Sequence, residues 1–268
     1  MAPQTHTLTD AASGHQHHLT LSVPGGPHPA MGWPLLCLLD GDWTWPLLQH
    51  APLLDRVVVL ALGYGGDKAL TTRCRAYDYT PPDKQGRRWA DPRVPAWQGG
   101  GAPAFTQFLG EQVLPWLQRQ AALNPAALSL FGHSYAGLFV LYALARQALP
   151  FSRLIAASPS LWWHDGIIHH YLDGLDALPA PRRLDIIAGQ AEAWYPQPAQ
   201  ATPGVPRTGG IPTLPAMQTL HDRLARLAGL SVRLHPLPEA GHAAVLDAAT
   251  RLALTLSAQP VPSGDWHK

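Results

Sequence analysis

Leu128-Ser-Leu-Phe-Gly132-His133-Ser134-Tyr135-Ala136-Gly137 joins a short apolar run to a second one, Leu138-Phe-Val-Leu-Tyr-Ala-Leu144, through a cluster of small residues around one serine. The spacing predicts a strand, a sharp turn and a helix running from Leu138 to about Gln147. A serine in such a turn projects its hydroxyl above the sheet edge, and the positions two before and two after it must be small. Gly132 and Ala136 meet that demand, Ala136 standing where a second glycine is usual. The helix start behind Ser134 offers aligned N–H groups to a developing negative charge.

Outward from this stretch the same alternation repeats. Pro34–Leu39 and Val57–Leu62 are continuous apolar runs ending in Asp40-Gly41-Asp42 and Gly63-Tyr64-Gly65. Such runs suit strands buried on both faces. Leu154–Ser158, Leu184–Ala188 and Val232–Leu237 read as further strands, with helices at about 216–227 and 243–257. From Ala102, Phe105, Phe108, Leu109, Val113 and Leu117 share one helical face, and Pro115 predicts a kink in it. Strands separated by helices indicate a mostly parallel central sheet covered on both faces, an α/β class whose chemistry sits beyond the carboxyl ends of the strands.

Three segments resist this pattern. Residues 1–16 read as a loose N-terminal arm, and His17–Val23 as an edge strand with a solvated histidine face. Residues 67–100 show no apolar period and carry Arg73, Arg75, Asp78, Arg87, Arg88, Asp91 and Arg93, which suggests either a functional or mobile segment or a surface excursion whose charges are solvated. Pro196–Pro215 is proline-rich and insertion-like.

The bulk numbers set limits. At 268 residues, 46% hydrophobic and 14% charged, the chain suits one α/β domain over residues 1–268 with at most a small cap. A net charge of +1 without a basic block argues against nucleic acid or an anionic membrane as partner. No run reaches the 18 or so apolar residues of a membrane span, and no leader pattern opens the numbering, so a cytoplasmic address is expected. Two cysteines, Cys37 and Cys74, do not make a disulfide scaffold. Neither glycine-bearing turn matches a nucleotide-binding fingerprint, so no cofactor is expected. His15, His17 and His18 lack the further ligands of a metal site, and no metal is expected either. Oligomeric state is not legible.

A serine hydroxyl needs a base. Of fourteen histidines, His242 in Pro238-Glu-Ala-Gly-His242 follows the last strand and precedes the last helix, which matches the order nucleophile, acid, histidine of α/β-hydrolases. Glu192, just beyond the Leu184–Ala188 strand, competes with Glu239 for the role of orienting acid, and its strand-end position favours it. The oxyanion hole is expected from the backbone N–H groups of Tyr135 and Asp42, with the Asp42 carboxylate turned away.

These residues carry a resemblance. Gly132–Gly137 followed by Ala157-Ser-Pro-Ser-Leu-Trp-Trp163, with Leu38–Gly41, Arg75-Ala-Tyr-Asp-Tyr-Thr-Pro81, Gly99–Phe105 and Gly241-His242, resembles the putative-esterase family of α/β-hydrolases. It is most similar to the branch that hydrolyses trilactone siderophores (enterobactin and salmochelin). The resemblance implies Ser134 as nucleophile, His242 as base and Asp42 and Tyr135 as oxyanion donors. It also implies a substrate-contacting Arg75 and a Ser–His dyad as an alternative to the triad with Glu192. Trp162, Trp163, Trp194 and Tyr195 fall on loops beside the site. They either stack on an aryl acyl group, Trp163 foremost, or cover the core. The expectation is a serine carboxylester hydrolase acting on a small-molecule ester. An acyltransferase with the same residues and a non-catalytic ligand-binding relative are the rivals.

Overall fold

The computed structural model describes residues 2–194 and 210–259. Eight strands build one sheet: β1 (Gln4–Thr9), β2 (Gln16–Ser22), β3 (Trp33–Leu38), β4 (Val58–Gly63), β5 (Leu123–His133), β6 (Arg153–Ala157), β7 (Arg182–Gly189) and β8 (Leu230–Leu237). Their spatial order is β1-β2-β4-β3-β5-β6-β7-β8. The β1–β2 and β2–β4 pairs are antiparallel and the others parallel.

Helices cover both faces. On one side lie α1 (Gly41–Leu48) and α8 (His242–Ser257). On the other lie α2 (Lys68–Asp78), α3 (Ala102–Phe108), α4 (Leu114–Gln120), α5 (Tyr135–Arg146), α6 (Ile167–Leu172) and α7 (Leu214–Leu224). β4 shows why its sequence is apolar throughout. Val58, Leu60 and Leu62 enter the core under α2–α7, while Val59 and Ala61 face the core under α1 and α8. β5 lies inside the sheet between β3 and β6, and the turn after it leads into α5, the strand–turn–helix order that the sequence predicted.

The departures have physical causes. Residues 4–9, expected in a loose arm, form β1, which pairs with β2 from Gln4↔Leu21 to Thr9↔Gln16. β2 is therefore not an edge strand. Asp10 holds the connecting turn, accepting from the Ala12 amide at 2.9 Å and the Ser13 hydroxyl at 2.7 Å. His17 is buried against Phe105, Phe108 and Tyr64, not solvated. The segment expected to be irregular opens with α2, capped by Asp67, whose carboxylate accepts from the Leu70 amide at 2.8 Å. The inward face of α2 is Thr71, Cys74, Arg75 and Asp78. A helix that buries polar groups in pairs shows no apolar period. Pro115 stands at the start of α4, two residues beyond a π-type turn over Leu109–Val113, the form the expected irregularity takes.

A small cap overlies the carboxyl end of β5. It combines the ribbon pairing Trp89–Ala90 with Gln98–Gly99 and the loop from Ser158 to α6. His164 ties the two pieces, its Nε2 lying 3.2 Å from the Ala90 carbonyl oxygen.

Candidate active site

Ser134 follows β5 directly, with φ 61° and ψ −115°, a backbone conformation that L-residues rarely adopt. Its amide donates to the Ala157 carbonyl at 2.9 Å, and its carbonyl accepts from Leu138 at 2.9 Å, so the surrounding bonds hold the strained geometry. A Cβ on Gly132 would lie 2.3 Å from the Ala136 carbonyl oxygen, so that position must be glycine. The second close approach is displaced by one residue: a Cβ on Gly137 would meet the Ala157 oxygen at 2.8 Å. Alanine at 136 is therefore compatible with the turn.

His242 opens α8 with about half of its side chain exposed, and its Nε2 lies 3.2 Å from Ser134 Oγ. Its Nδ1 lies 3.5 Å from Glu192 Oε1. Glu192 is buried; Oε1 also accepts from the Ser158 hydroxyl, and Oε2 accepts from Thr213 Oγ1 at 3.1 Å. The loops bearing Glu192 and His242 meet at Gly189, where a Cβ would lie 2.1 Å from the Ala240 oxygen, and they share the Ala191 N–H to Ala240 bond. Glu239, the competing acid, is exposed with a left-handed backbone. Ser160 adds a hydroxyl 3.4 Å from Ser134 Oγ.

The two expected oxyanion amides come from adjacent parallel strands. Asp42 stands in the first turn of α1 beyond β3, and Tyr135 opens α5 beyond β5. First-turn N–H groups lack intrahelical acceptors. The Asp42 carboxylate is turned aside, accepting from the Tyr64 and Gly65 amides at 2.7 and 3.1 Å.

Two expected substrate contacts are corrected. Arg75 is buried and grips Asp40 through Nε at 2.9 Å and Nη2 at 2.7 Å, with Nη2 also 3.3 Å from the His133 carbonyl oxygen. Burial disfavours its charge, but the Asp40 carboxylate outweighs that and raises its pKa. The guanidinium thus braces the site floor and does not face a substrate. Asp40 itself adopts φ 55°, immediately before the Gly41–Asp42 amides. Trp163 is fully buried, edge-on to Tyr135 at 5.2 Å and pressed against Gly99. It belongs to the core.

Two other side chains, Trp162 and Arg93, flank Tyr135. Trp162 is half-buried and stacks on Trp194, with centroids 5.5 Å apart and planes 14° apart. Arg93 lies 4.0 Å over the Tyr135 ring and 5.9 Å from the Trp162 centroid. Asp91 fixes both neighbours, accepting from the Tyr135 hydroxyl at 3.0 Å and lying 3.7 Å from Arg93 Nε. Nothing in the local pattern around Arg93 distinguishes it from the other charges of its segment. Tyr195 lies outside the described residues.

His133 has its Nε2 3.1 Å from the His242 carbonyl oxygen and packs ring to ring with His242 at 4.6 Å. Burial, then the neighbouring His242 and Arg75, keep its pKa well below the ordinary value. One ligand atom each from His133, Glu192 and His242 lie within 4.8 Å of one another, a set chemically able to gather a metal ion.

A strained serine, an imidazole at hydrogen-bond distance, a buried carboxylate behind it and two helix N-termini on a β1-β2-β4-β3-β5-β6-β7-β8 sheet define an α/β-hydrolase equipped for acyl transfer. The chain belongs to the esterase family: the family model described as "Putative esterase" matches residues 13–194. It is an ester hydrolase. It is 25% identical over 261 residues to the ferri-bacillibactin esterase BesA of Bacillus subtilis, covering 91% of this chain and 85% of that one. It is 30% identical over 161 residues to the apo-salmochelin esterase of Escherichia coli, covering 58% of this chain and 50% of that one. Among solved structures, the enterobactin and salmochelin hydrolase IroE superposes with a TM-score of 0.74 at 24% identity, over 96% of this chain and 95% of that one. Among the described residues no helix is long and apolar enough to cross a membrane.

Proposed function

We propose that this esterase cleaves the lactone esters of catecholate trilactone siderophores through a Ser134 acyl-enzyme. The observation that carries the mechanism is the 3.2 Å approach of His242 Nε2 to Ser134 Oγ, with Glu192 behind Nδ1. His242 takes the hydroxyl proton as Ser134 Oγ bonds to the ester carbon. The carbonyl oxygen becomes an oxyanion facing the Asp42 and Tyr135 amides. His242 then returns the proton to the leaving alkoxide, and the acyl–oxygen bond breaks. Water, deprotonated by the same imidazole, releases the acid and restores Ser134. Glu192 holds the Nδ1–H tautomer and balances the imidazolium, while Ser158 and Thr213 hold Glu192.

Relatives named for ferri-bacillibactin and salmochelin support the substrate class. So does the aromatic shelf of Trp162 and Trp194 with Arg93 beside it, which suits a flat catechol ring bearing an anionic oxygen. A cytoplasmic address belongs to the same proposal and is checked by cell fractionation.

The test compares ferric and metal-free catecholate trilactones with short p-nitrophenyl esters. The proposal expects the trilactones to be turned over with the higher kcat/KM. It also expects Arg93→Gln to lower that value about tenfold, the scale of one desolvated cation–aromatic contact, while short neutral esters change little. Preference for the neutral esters by the native enzyme contradicts the substrate assignment.

A further inference from the structure

The hydrolytic mechanism gives His133 no chemical step, yet its ring is buried against the catalytic imidazole. We propose that His133, Glu192 and His242 form a reversible binding site for a divalent transition cation of the zinc class, and that its occupation switches the hydrolase off. Two imidazoles and one carboxylate are a recurrent zinc-binding set, with a fourth position left for water. Their three ligand atoms lie within 4.8 Å of one another. Two ligands of a tetrahedral zinc, each about 2.1 Å from the ion, stand roughly 3.4 Å apart, so the widest pair of the group closes by at most about 1.4 Å from its 4.8 Å limit. His242 supplies that movement, because half of its side chain is exposed while His133 and Glu192 are buried. The same exposure admits the ion from solvent.

The remaining bonds resemble those behind built metal ligands. Glu192 keeps its second oxygen on Thr213, and His133 reaches a backbone carbonyl with one ring nitrogen, leaving the other lone pair free. Occupation removes the base by either route. Ligation through His242 Nδ1 leaves the proton on Nε2, which then donates to Ser134 Oγ and cannot accept from it. Ligation through Nε2 consumes the lone pair directly. The roles of His242 and Glu192 as ligands do not depend on which ester is the substrate.

The experiment titrates the whole protein with Zn2+ while following p-nitrophenyl ester hydrolysis, and separately with Co2+ while following the visible absorption of tetrahedral cobalt. Inhibition reversed by EDTA, a one-to-one cobalt band and no effect of Mg2+ are expected. His133→Asn, which removes a ligand, raises the zinc concentration for half-inhibition and weakens the cobalt band by at least about tenfold, since even losing a supporting contact costs 10–100-fold. If that variant does not fold, Glu192→Gln titrated with cobalt gives the same readout. Unchanged metal affinity in the folded variant, or no one-to-one cobalt band, overturns the proposal. The cobalt arm needs no turnover, so an inactive protein that still binds cobalt would count against the esterase mechanism and not against this site.

Discussion

At the scale of single residues, the account rests on which groups touch Ser134 and which only support those that do. Glu192 is the least secured of the three by distance, 3.5 Å from His242 Nδ1, yet it is buried and held by two hydroxyls. Glu192→Ala is expected to lower kcat by about 10⁴, the scale measured when a triad loses its orienting acid. A loss below about tenfold in steady-state kinetics would mean a Ser–His dyad. Ser134 and His242 were legible because strand-to-helix turns and chain order are local or sequential signals. Arg93, Ser158 and the brace by Arg75 were not. An arginine reads the same in sequence whether it faces solvent, as Arg93 does in part, or is sealed against a carboxylate 35 positions away, as Arg75 is against Asp40. The tryptophans show the same limit: Trp162 and Trp163 are adjacent, and only tertiary packing sends one to the shelf and the other into the core.

At the scale of elements, α2 joins fold stability to the oxyanion loop. Through Arg75 it neutralises Asp40, whose left-handed backbone turns β3 into α1 and presents the Asp42 amide. Removing one partner of a buried ion pair leaves an uncompensated charge and costs about 3–5 kcal/mol. Arg75→Met is therefore expected to lower stability by that order in urea denaturation. It should also lower kcat more than it raises KM, because the oxyanion amide matters chiefly in the transition state. A stable variant with normal kcat and a raised KM would restore Arg75 as a substrate contact. The apolar elements β3, β4, β5 and α5 were readable from runs and turns. β1 and α2 were missed because a polar edge strand and a helix that buries paired polar groups lack the hydrophobic signal on which such reading depends.

At the scale of the whole molecule, the mostly parallel core and its covering on both faces followed from the alternation of buried strands and helices, whereas the order of the strands came only from the fold. The buried polar cluster beneath the cap-side helices did not. There burial holds His17 down to about 4, while Asp78 and Cys74 outweigh burial and raise His15 to about 10. Between pH 6.5 and 4 the unfolded chain takes up a proton at His17 that the native state refuses, so stability falls as pH falls, by up to about 3 kcal/mol. Between pH 6.5 and 10 the native state keeps a proton on His15 that the unfolded chain loses, so that contribution falls as pH rises. Chemical denaturation across this range is expected to show greatest stability near neutrality from this pair, and His17→Gln should flatten the acid limb. The measurement that reaches the central claim most directly is the mass and rate of fluorophosphonate labelling. One adduct is expected on the peptide containing Ser134, absent in Ser134→Ala and slowed by orders of magnitude in His242→Ala. Labelling at another residue, or at an unchanged rate without His242, would contradict it.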